Sequence, residues 1–503
     1  MQVAFERLRE LHHSLNVNLT WFDVAKYGGI AVSTWGFYAF AVKPFLSPLR
    51  KIPGPEYNPI YGNVRSAIVG EAMDTSVNWI KQYGEVVHFY NLLGRDCVLV
   101  SGPKSLKHVL IENEANYQRG INNTNLLSGG IFFASGEQHK YLRRMMNPFF
   151  SHASIQRYLG IFEENGLNLV DYWNWRIDES SAALDVQDDF KRLALDVICM
   201  AVFGYKVDSL RNVHSEFAKA FAVIVNVTLL SFTGLLPFAS SIPTASNRKN
   251  WEAMKIVNEV IDKMIRDRRE LEKIGLRDTK HDLLSYLMSA VDEDTGEGMS
   301  DKCLREQVLN LLLAGHETTS VTMAWILLTM AEYPEVQEKV RQEAVEFLPP
   351  RNQTITWEHL DQMKYTYAVL KEVQRLYPAA PSFTRRAKND DHICGYFIPK
   401  GTEVVIHYGA MMRDPSVWKN PTKFDPGRFL GDSTFDNYTH MPFSTGPHKC
   451  LGHQFAKMQL RLLMAVLMRD FRFSMLPGLQ FKRRSGITMH PHPKLQLRVQ
   501  KID

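Results

Sequence analysis

Two short stretches hold residues whose types and spacing could do chemistry. In PFSTGPHKCLGHQFA, Pro442 to Ala456, a single cysteine, Cys450, stands between Gly446 and Gly452 on a glycine-broken turn leading into a helix. His448 and His453 flank it, and Phe443 lies just upstream. A sulfur surrounded by backbone N–H groups at a helix start is stabilised as a thiolate, and a thiolate binds metal. No second cysteine lies nearby, so zinc is a poor fit, whereas a single axial thiolate on haem iron is a good one. A porphyrin already fills four iron positions. His448 is therefore placed to meet a haem propionate, and His453 reads as an ordinary helix residue.

The second stretch is LLLAGHETTSVT, in which Gly315, Thr318, Thr319 and Ser320 interrupt an otherwise apolar run. These are poor helix formers gathered where good ones are expected. Two readings stand. The hydroxyls bond back to carbonyls one turn earlier and bend the helix, with Glu317 salt-bridged elsewhere; or the glycine opens a groove in which an acid, Glu317, and an alcohol, Thr318, face a bound group.

The elements that must position these stretches can be read coarsely. Ser300 can cap a helix that Pro334 ends, giving about 33 residues and roughly 50 Å, enough to cross the whole molecule. VVHFYNLL and CVLVS, split by Gly94-Arg95-Asp96, read as a hairpin, and a helix starts over Lys104 to Asn113. From about Ser151 to Tyr333 the apolar period is helical. Ile393 to Ile398 and Glu403 to Ile406 read as strands separated by Pro399-Lys400-Gly401. No internal repeat or low-complexity linker divides the body, so one large helix-rich domain is expected over residues 52–503.

Composition agrees with that picture. The 503 residues are 45% apolar and 22% charged, which excludes disorder and allows a large core. The formal charge of +5 is spread out, without a Lys/Arg block, so nucleic acid is not an expected partner. Cys97, Cys199, Cys303, Cys394 and Cys450 are widely separated and suit a reducing compartment. Residues 1–51 are set apart. Tyr27 to Val42 carries no charge, is bounded by Lys26 and Lys43, and has Trp21, Trp35, Tyr38 and Phe45 for an interface belt, so a membrane-anchor helix is expected at about 27–42. Lys43, Arg50 and Lys51 place its C-terminal side in the cytosol. Ile52-Pro53-Gly54-Pro55 then makes a stiff, non-helical hinge.

From the hinge to the C-terminus the sequence resembles the cytochrome P-450 family, in its eukaryotic microsomal form. Phe443, Gly446, Cys450 and Gly452 match its haem-binding signature, and Ala314-Gly315-His316-Glu317-Thr318-Thr319 its oxygen-activating helix motif. Glu372 and Arg375 in KEVQRLYP match its E-x-x-R pair, and Phe424 to Phe429, FDPGRF, the segment whose Arg428 joins that pair. Four motifs in order are far more specific than one. The resemblance implies a mainly α fold with a small β region and a long central helix over haem, preceded by the anchor.

It also implies haem b, iron protoporphyrin IX, with Cys450 as the metal ligand. Phe443, Gly446, His448, Gly452 and Gly315 would contact the cofactor, and Arg143 and Arg385 would bind its propionates. His139 stands where a tryptophan is common. Glu372, Arg375 and Arg428 would be structural, fixing the loop that holds Cys450. Thr318, with Glu317 and water, would deliver protons for insertion of one oxygen atom of O2 into a hydrophobic small molecule. Electrons would come from NADPH through a separate flavoprotein reductase, with cytochrome b5 as a further donor. Lys140, Arg143, Arg144, Lys449, Lys457 and Arg461 could form the basic docking face. The implied location is the endoplasmic reticulum membrane, with VTLLSFTGLLPFASSIP, which includes Leu235, Leu236 and Phe238, dipping into lipid by the substrate entrance. A haem-thiolate isomerase or dehydratase, and a non-enzymatic haem sensor, are the alternative readings.

Overall fold

The computed structural model describes residues 21–38, 42–58, 62–63, 70–91, 94–119, 129–179, 183–212, 214–230, 241–275, 282–292, 294, 296–431, 438–486 and 488–502. Helix α1 (Trp21–Phe37) starts earlier than the expected anchor and exposes Tyr27, Ile30, Trp35 and Phe37. The chain docks on the body soon afterwards. The buried Pro44 accepts a hydrogen bond from Tyr90 Oη at 2.9 Å, and Leu49 and Ile52 join the core beneath a sheet. The proline strip is non-helical as read, but it is pressed onto the body rather than free as a hinge. His88 N–H donates to Pro53 O at 2.9 Å, and a Cβ on Gly54 would lie 1.8 Å from His88 O, so only glycine fits there.

That sheet is built from β1 (Val86–Tyr90), β2 (Asp96–Val100), β3 (Tyr117–Arg119) and two later strands. β1 and β2 pair antiparallel, with Val86 opposite Val100, as the hairpin reading expects. The helix over Lys104 to Asn113 is a mixed one: Pro103–Lys107 is α and His108–Glu112 a π turn. Helix α2 (Gly136–Met146) follows, then α3 (Leu159–Glu179), β4 (Ala183–Asp185), α4 (Val186–Phe203), α5 (Glu216–Leu230) and α6 (Ala245–Lys273). The apolar loop expected at the substrate entrance falls largely at 231–240, outside the described residues.

The long helix is α7 (Asp301–Glu332). Ser300 Oγ accepts from Cys303 N–H at 3.3 Å, and the helix stops before Pro334, whose ring disfavours a helical residue ahead of it. It is buried on almost every side, as a helix running through a core must be. Helix α4 lies along it, and a Cβ on Gly315 would meet Ile198 Cδ1 at 2.6 Å. The helices α8 (Pro334–Phe347) and α9 (Lys364–Leu376) pack beside it.

Strand β5 (Phe383–Ala387), the hairpin β6 (Asp391–Ile393) and β7 (Tyr396–Ile398), and β8 (Glu403–Ile406) come next. The run Ile393 to Ile398 is therefore not one strand. Cys394 and Gly395 both have positive φ, 50° and 85°, the backbone that a two-residue hairpin turn needs. The five-stranded sheet is ordered β1-β2-β8-β5-β3, with β2 and β8 parallel. Helix α10 (His453–Asp470) runs from the cysteine loop into the core, with Phe455 edge-on to Phe162 of α3 at 4.7 Å. The chain ends in β9 (Phe471–Met475), the hairpin β10 (Lys482–Ser485) and β11 (Met489–His492), and β12 (Gln496–Lys501).

Candidate active site

The cysteine loop is closed by its own backbone: Cys450 N–H donates to Phe443 O at 2.9 Å, and Lys449 N–H to Gly446 O at 3.0 Å. Gly446 has φ +72°, and a Cβ there would lie 2.2 Å from Leu110 O of the π turn, so both conformation and contact demand glycine. Gly452 is the residue before α10, and the nearest atom to a Cβ there is Phe150 Cε1 at 3.9 Å, so nothing in the protein itself crowds it. Phe443 is half-buried beneath Lys457 Nζ, 5.7 Å from its ring centre. His453 opens α10, and its Nδ1 lies 3.0 Å from Cys450 O, a helix-start role rather than a ligand's.

One expectation is corrected here. The Cys450 side chain has accessible surface but is surrounded by protein at longer range. Burial pushes its thiol pKa up, outweighing the Gly452 N–H, Arg143 and Lys449, which lower it. The loop and helix start do not by themselves make a thiolate. Ligation to a metal does, because coordination removes the thiol proton.

Beside the loop lies a basic cluster of the buried Arg385 and the half-buried Arg119 and Arg143. Arg119 on β3 stands opposite Arg385 on β5, and both feel Arg143 or Glu114 across short distances. Burial, then Arg385 and Arg143, lower the Arg119 pKa to about 9, and burial lowers Arg385 to about 10. Arg143 is lowered by burial and drawn back up by Cys450, so the guanidinium lies within electrostatic reach of the sulfur. His448 does not reach outward as a free cation. Its Nε2 lies 2.7 Å from Glu114 Oε1, Arg119 Nη2 donates to its Nδ1 at 3.2 Å, and its ring stacks on His139 at 3.8 Å. Burial and the neighbouring Arg119 lower its pKa to about 2, so the Glu114 contact is a hydrogen bond from a neutral ring. Both nitrogens are taken, and His448 holds Arg119 in place.

The cluster fits a haem. The guanidiniums of the buried Arg385 and the half-buried Arg119 and Arg143 have a single carboxylate, Glu114, among the groups that offset them, and Arg119 Nε is buried with no partner among the described residues. Such a cluster calls for anions, and two propionates with one ligated thiolate supply them. Sequence reasoning missed Arg119, which belongs to no motif and is brought to the site by strand register.

On α7 the back-bonding reading is what the structure holds. Thr318 Oγ1 donates to Ala314 O at 2.7 Å, Thr319 Oγ1 to Gly315 O at 2.5 Å, and Thr322 Oγ1 to Thr318 O at 2.7 Å. Yet Ala314 is exposed and Thr318 half-buried in the middle of a helix whose other faces are closed, so one strip of α7 borders open space. Glu317 is not salt-bridged to a cation of fixed charge. Its Oε1 accepts from Thr488 Oγ1 at 3.0 Å, and its Oε2 is buried with no partner among the described residues. Gly315 faces Ile198 of α4, so the glycine serves helix packing on that side.

Glu372 and Arg375 are wholly buried and bidentate, with Nε–Oε2 2.7 Å and Nη2–Oε1 2.9 Å. Arg428 Nε adds a contact to Oε1 at 3.3 Å, and Asp425 N–H donates to Oε1 at 2.9 Å. Arg375 Nη1 also donates to Met412 O and Pro421 O, both at 2.7 Å. The network therefore grips residues 412–428, the segment leading to the cysteine loop, and touches no reacting group. The expected basic face is smaller than six residues. Arg461 is buried, with its guanidinium on Leu360 O, and Arg144 is paired with Asp292 and Asp294 at 2.7 Å each.

The family model described as cytochrome P-450 matches residues 52–498. Cytochrome P-450 monooxygenase 205 of Postia placenta is 28% identical, over 92% of this chain and 93% of its own. Cytochrome P-450 3A6 of Oryctolagus cuniculus is 30% identical, over 86% and 88%. A crystal structure of a cytochrome P-450DA heme domain superposes with a TM-score of 0.79 at 26% identity, covering 90% of this chain and 98% of that one.

Proposed function

This chain belongs to the cytochrome P-450 family of haem-thiolate monooxygenases, and from that premise we propose that it inserts one oxygen atom of O2 into a hydrophobic small molecule, with electrons from NADPH through a separate flavoprotein reductase. The observation that carries the reading is the juxtaposition of Cys450 with the cluster of the buried Arg385 and the half-buried Arg119 and Arg143. Cys450 would ligate the iron, and the three arginines would hold the propionates. Haem supplies the reductive activation of O2 when bound.

The remaining roles belong to side chains of this chain. Thr318 has directed its own proton to Ala314 O, so its oxygen lone pairs are left to accept from a donor in the pocket. Glu317, the adjoining acid, is the proton source for that position. The exposed Ala314 and the apolar flanks of α7 suit a substrate that is a lipid, steroid, terpenoid or xenobiotic. Helix α1 presents exposed aromatics ahead of Lys43, Arg50 and Lys51, which supports attachment to the endoplasmic reticulum membrane with a cytosolic body. Its described part also carries Asp23 and Lys26, charges that suit the membrane interface.

The deciding experiment reconstitutes the haem-loaded protein with a flavoprotein reductase and a ligand chosen by Soret shift from a lipid and steroid library. Monooxygenation requires product formation with NADPH consumption. Product without electron consumption would mean an isomerase or dehydratase, and binding without product a sensor.

A further inference from the structure

Glu317 and Thr488 are 171 residues apart in sequence, yet Thr488 Oγ1 donates to Glu317 Oε1 at 3.0 Å. Thr488 sits at the start of the return strand of the β10–β11 hairpin and is 1% exposed. Its backbone is braced. Trp325 Nε1 of α7 donates to Met489 O at 2.7 Å, and Met489 N–H donates to Ala379 O at 2.8 Å. The hydroxyl is thus presented to the carboxyl by a fixed strand rather than by a loose loop.

The other carboxyl oxygen tells more. Glu317 Oε2 and His316 Nδ1 are both buried, neither has a hydrogen-bond partner among the described residues, and they lie 3.8 Å apart. Buried polar atoms are rarely left alone, and two facing each other need a shared proton. The His316 ring faces the Lys191 backbone on α4 and meets the edge of Phe221 on α5 at 5.1 Å. Burial pulls the His316 pKa down to about 4, so the ring is neutral and, with its other nitrogen toward Lys191, Nδ1 carries a lone pair. A lone pair opposite a carboxyl oxygen is satisfied by a proton on that oxygen, after a small side-chain rotation.

We propose that Thr488 is a positioning residue for Glu317: its hydroxyl fixes Oε1 so that Oε2 holds a proton against His316 Nδ1, one residue before Thr318. The inference rests on the reading of Glu317 as proton source. No bond other than O–H or N–H forms or breaks, and the hairpin, not α7 alone, sets where the proton is stored.

The test is infrared difference spectroscopy of the haem-loaded protein in light and heavy water. The Glu317 carboxyl band is identified by its loss in Glu317→Gln. Thr488→Val should move that band to higher wavenumber, because the carbonyl loses its donor, and Thr488→Ser should leave it in place. Electron coupling to product should fall roughly threefold to tenfold in Thr488→Val, the scale of one neutral hydrogen bond, and return in Thr488→Ser. Should Thr488→Val fail to load haem, His316→Leu reads the other half of the contact and should also raise the band. Absence of a Glu317-dependent protonated-carboxyl band, or a band unmoved by loss of its partner, overturns the proposal. A protein that shows the band and its shifts but consumes no NADPH would sink the monooxygenase reading and leave the positioning intact; normal turnover with an unmoved band does the reverse.

Discussion

Arg119 and Arg385 are direct Cα partners in the antiparallel β3–β5 pair, a half-buried arginine opposite a buried one. Like charges opposite each other in a sheet are destabilising. The propionates of the proposed haem would offset that repulsion. Arg119→Gln should therefore loosen haem rather than the fold. Losing one charge-assisted hydrogen bond, about 1.5–3 kcal/mol, corresponds to haem transfer to a scavenger roughly 10- to 100-fold faster. An unchanged transfer rate would remove Arg119 from the propionate site.

Cys450→Ser is expected to abolish the strongly red-shifted Soret band of the ferrous-CO form, because serine oxygen cannot replace a thiolate. Arg143→Gln, which removes a cation within electrostatic reach of the sulfur, should keep the band while lowering haem content. Survival of the band in Cys450→Ser would falsify the ligand assignment.

Thr318→Ala removes both the back-bond to Ala314 O and the oxygen that borders the pocket. We expect haem and ligand binding to persist while reducing equivalents pass into peroxide or water, with coupling down by roughly tenfold or more. Thr318→Ser should retain most coupling. If the alanine variant couples normally, the hydroxyl only shapes the helix.

Glu372→Ala leaves the wholly buried Arg375 without its carboxylate, a loss of roughly 3–5 kcal/mol. That is comparable with the entire stability of many domains, so little haem-loaded protein should be recovered. The ferrous-CO spectrum of purified material reads this directly. Normal haem content with slowed turnover would instead make the pair catalytic.

Deleting residues 1–42 should leave a folded, haem-loaded body with weaker partition onto liposomes, since the exposed aromatics of α1 are gone and the docked Pro44 remains. Cutting after Leu46 removes the acceptor of Tyr90 Oη as well and should cost a further 0.5–1.5 kcal/mol or about that, read by thermal unfolding. Equal liposome binding before and after the shorter deletion would mean that attachment lies in the body.

Much of this protein was legible in its sequence, and for local reasons. The thiol loop, α7 with its Ser300 cap and Pro334 stop, the β1–β2 hairpin and the E-x-x-R pair are each written within one contiguous stretch, where helix period, capping, turn residues and i, i+3 spacing act over a few residues. The exceptions also have local causes. Cys394-Gly395 hides a two-residue turn inside an apolar run because a cysteine at positive φ carries no turn signal.

What only the tertiary structure decided depends on residues far apart in the chain. Strand register set Arg119 against Arg385, a π turn placed Leu110 O against Gly446, and the terminal hairpin brought Thr488 to Glu317. Enclosure likewise raised the Cys450 thiol pKa, where the sequence suggested a thiolate, and left His448 neutral. A residue's type fixes which protons and charges it can carry. Which of them it does carry is set by desolvation and by neighbours that only the packed chain supplies.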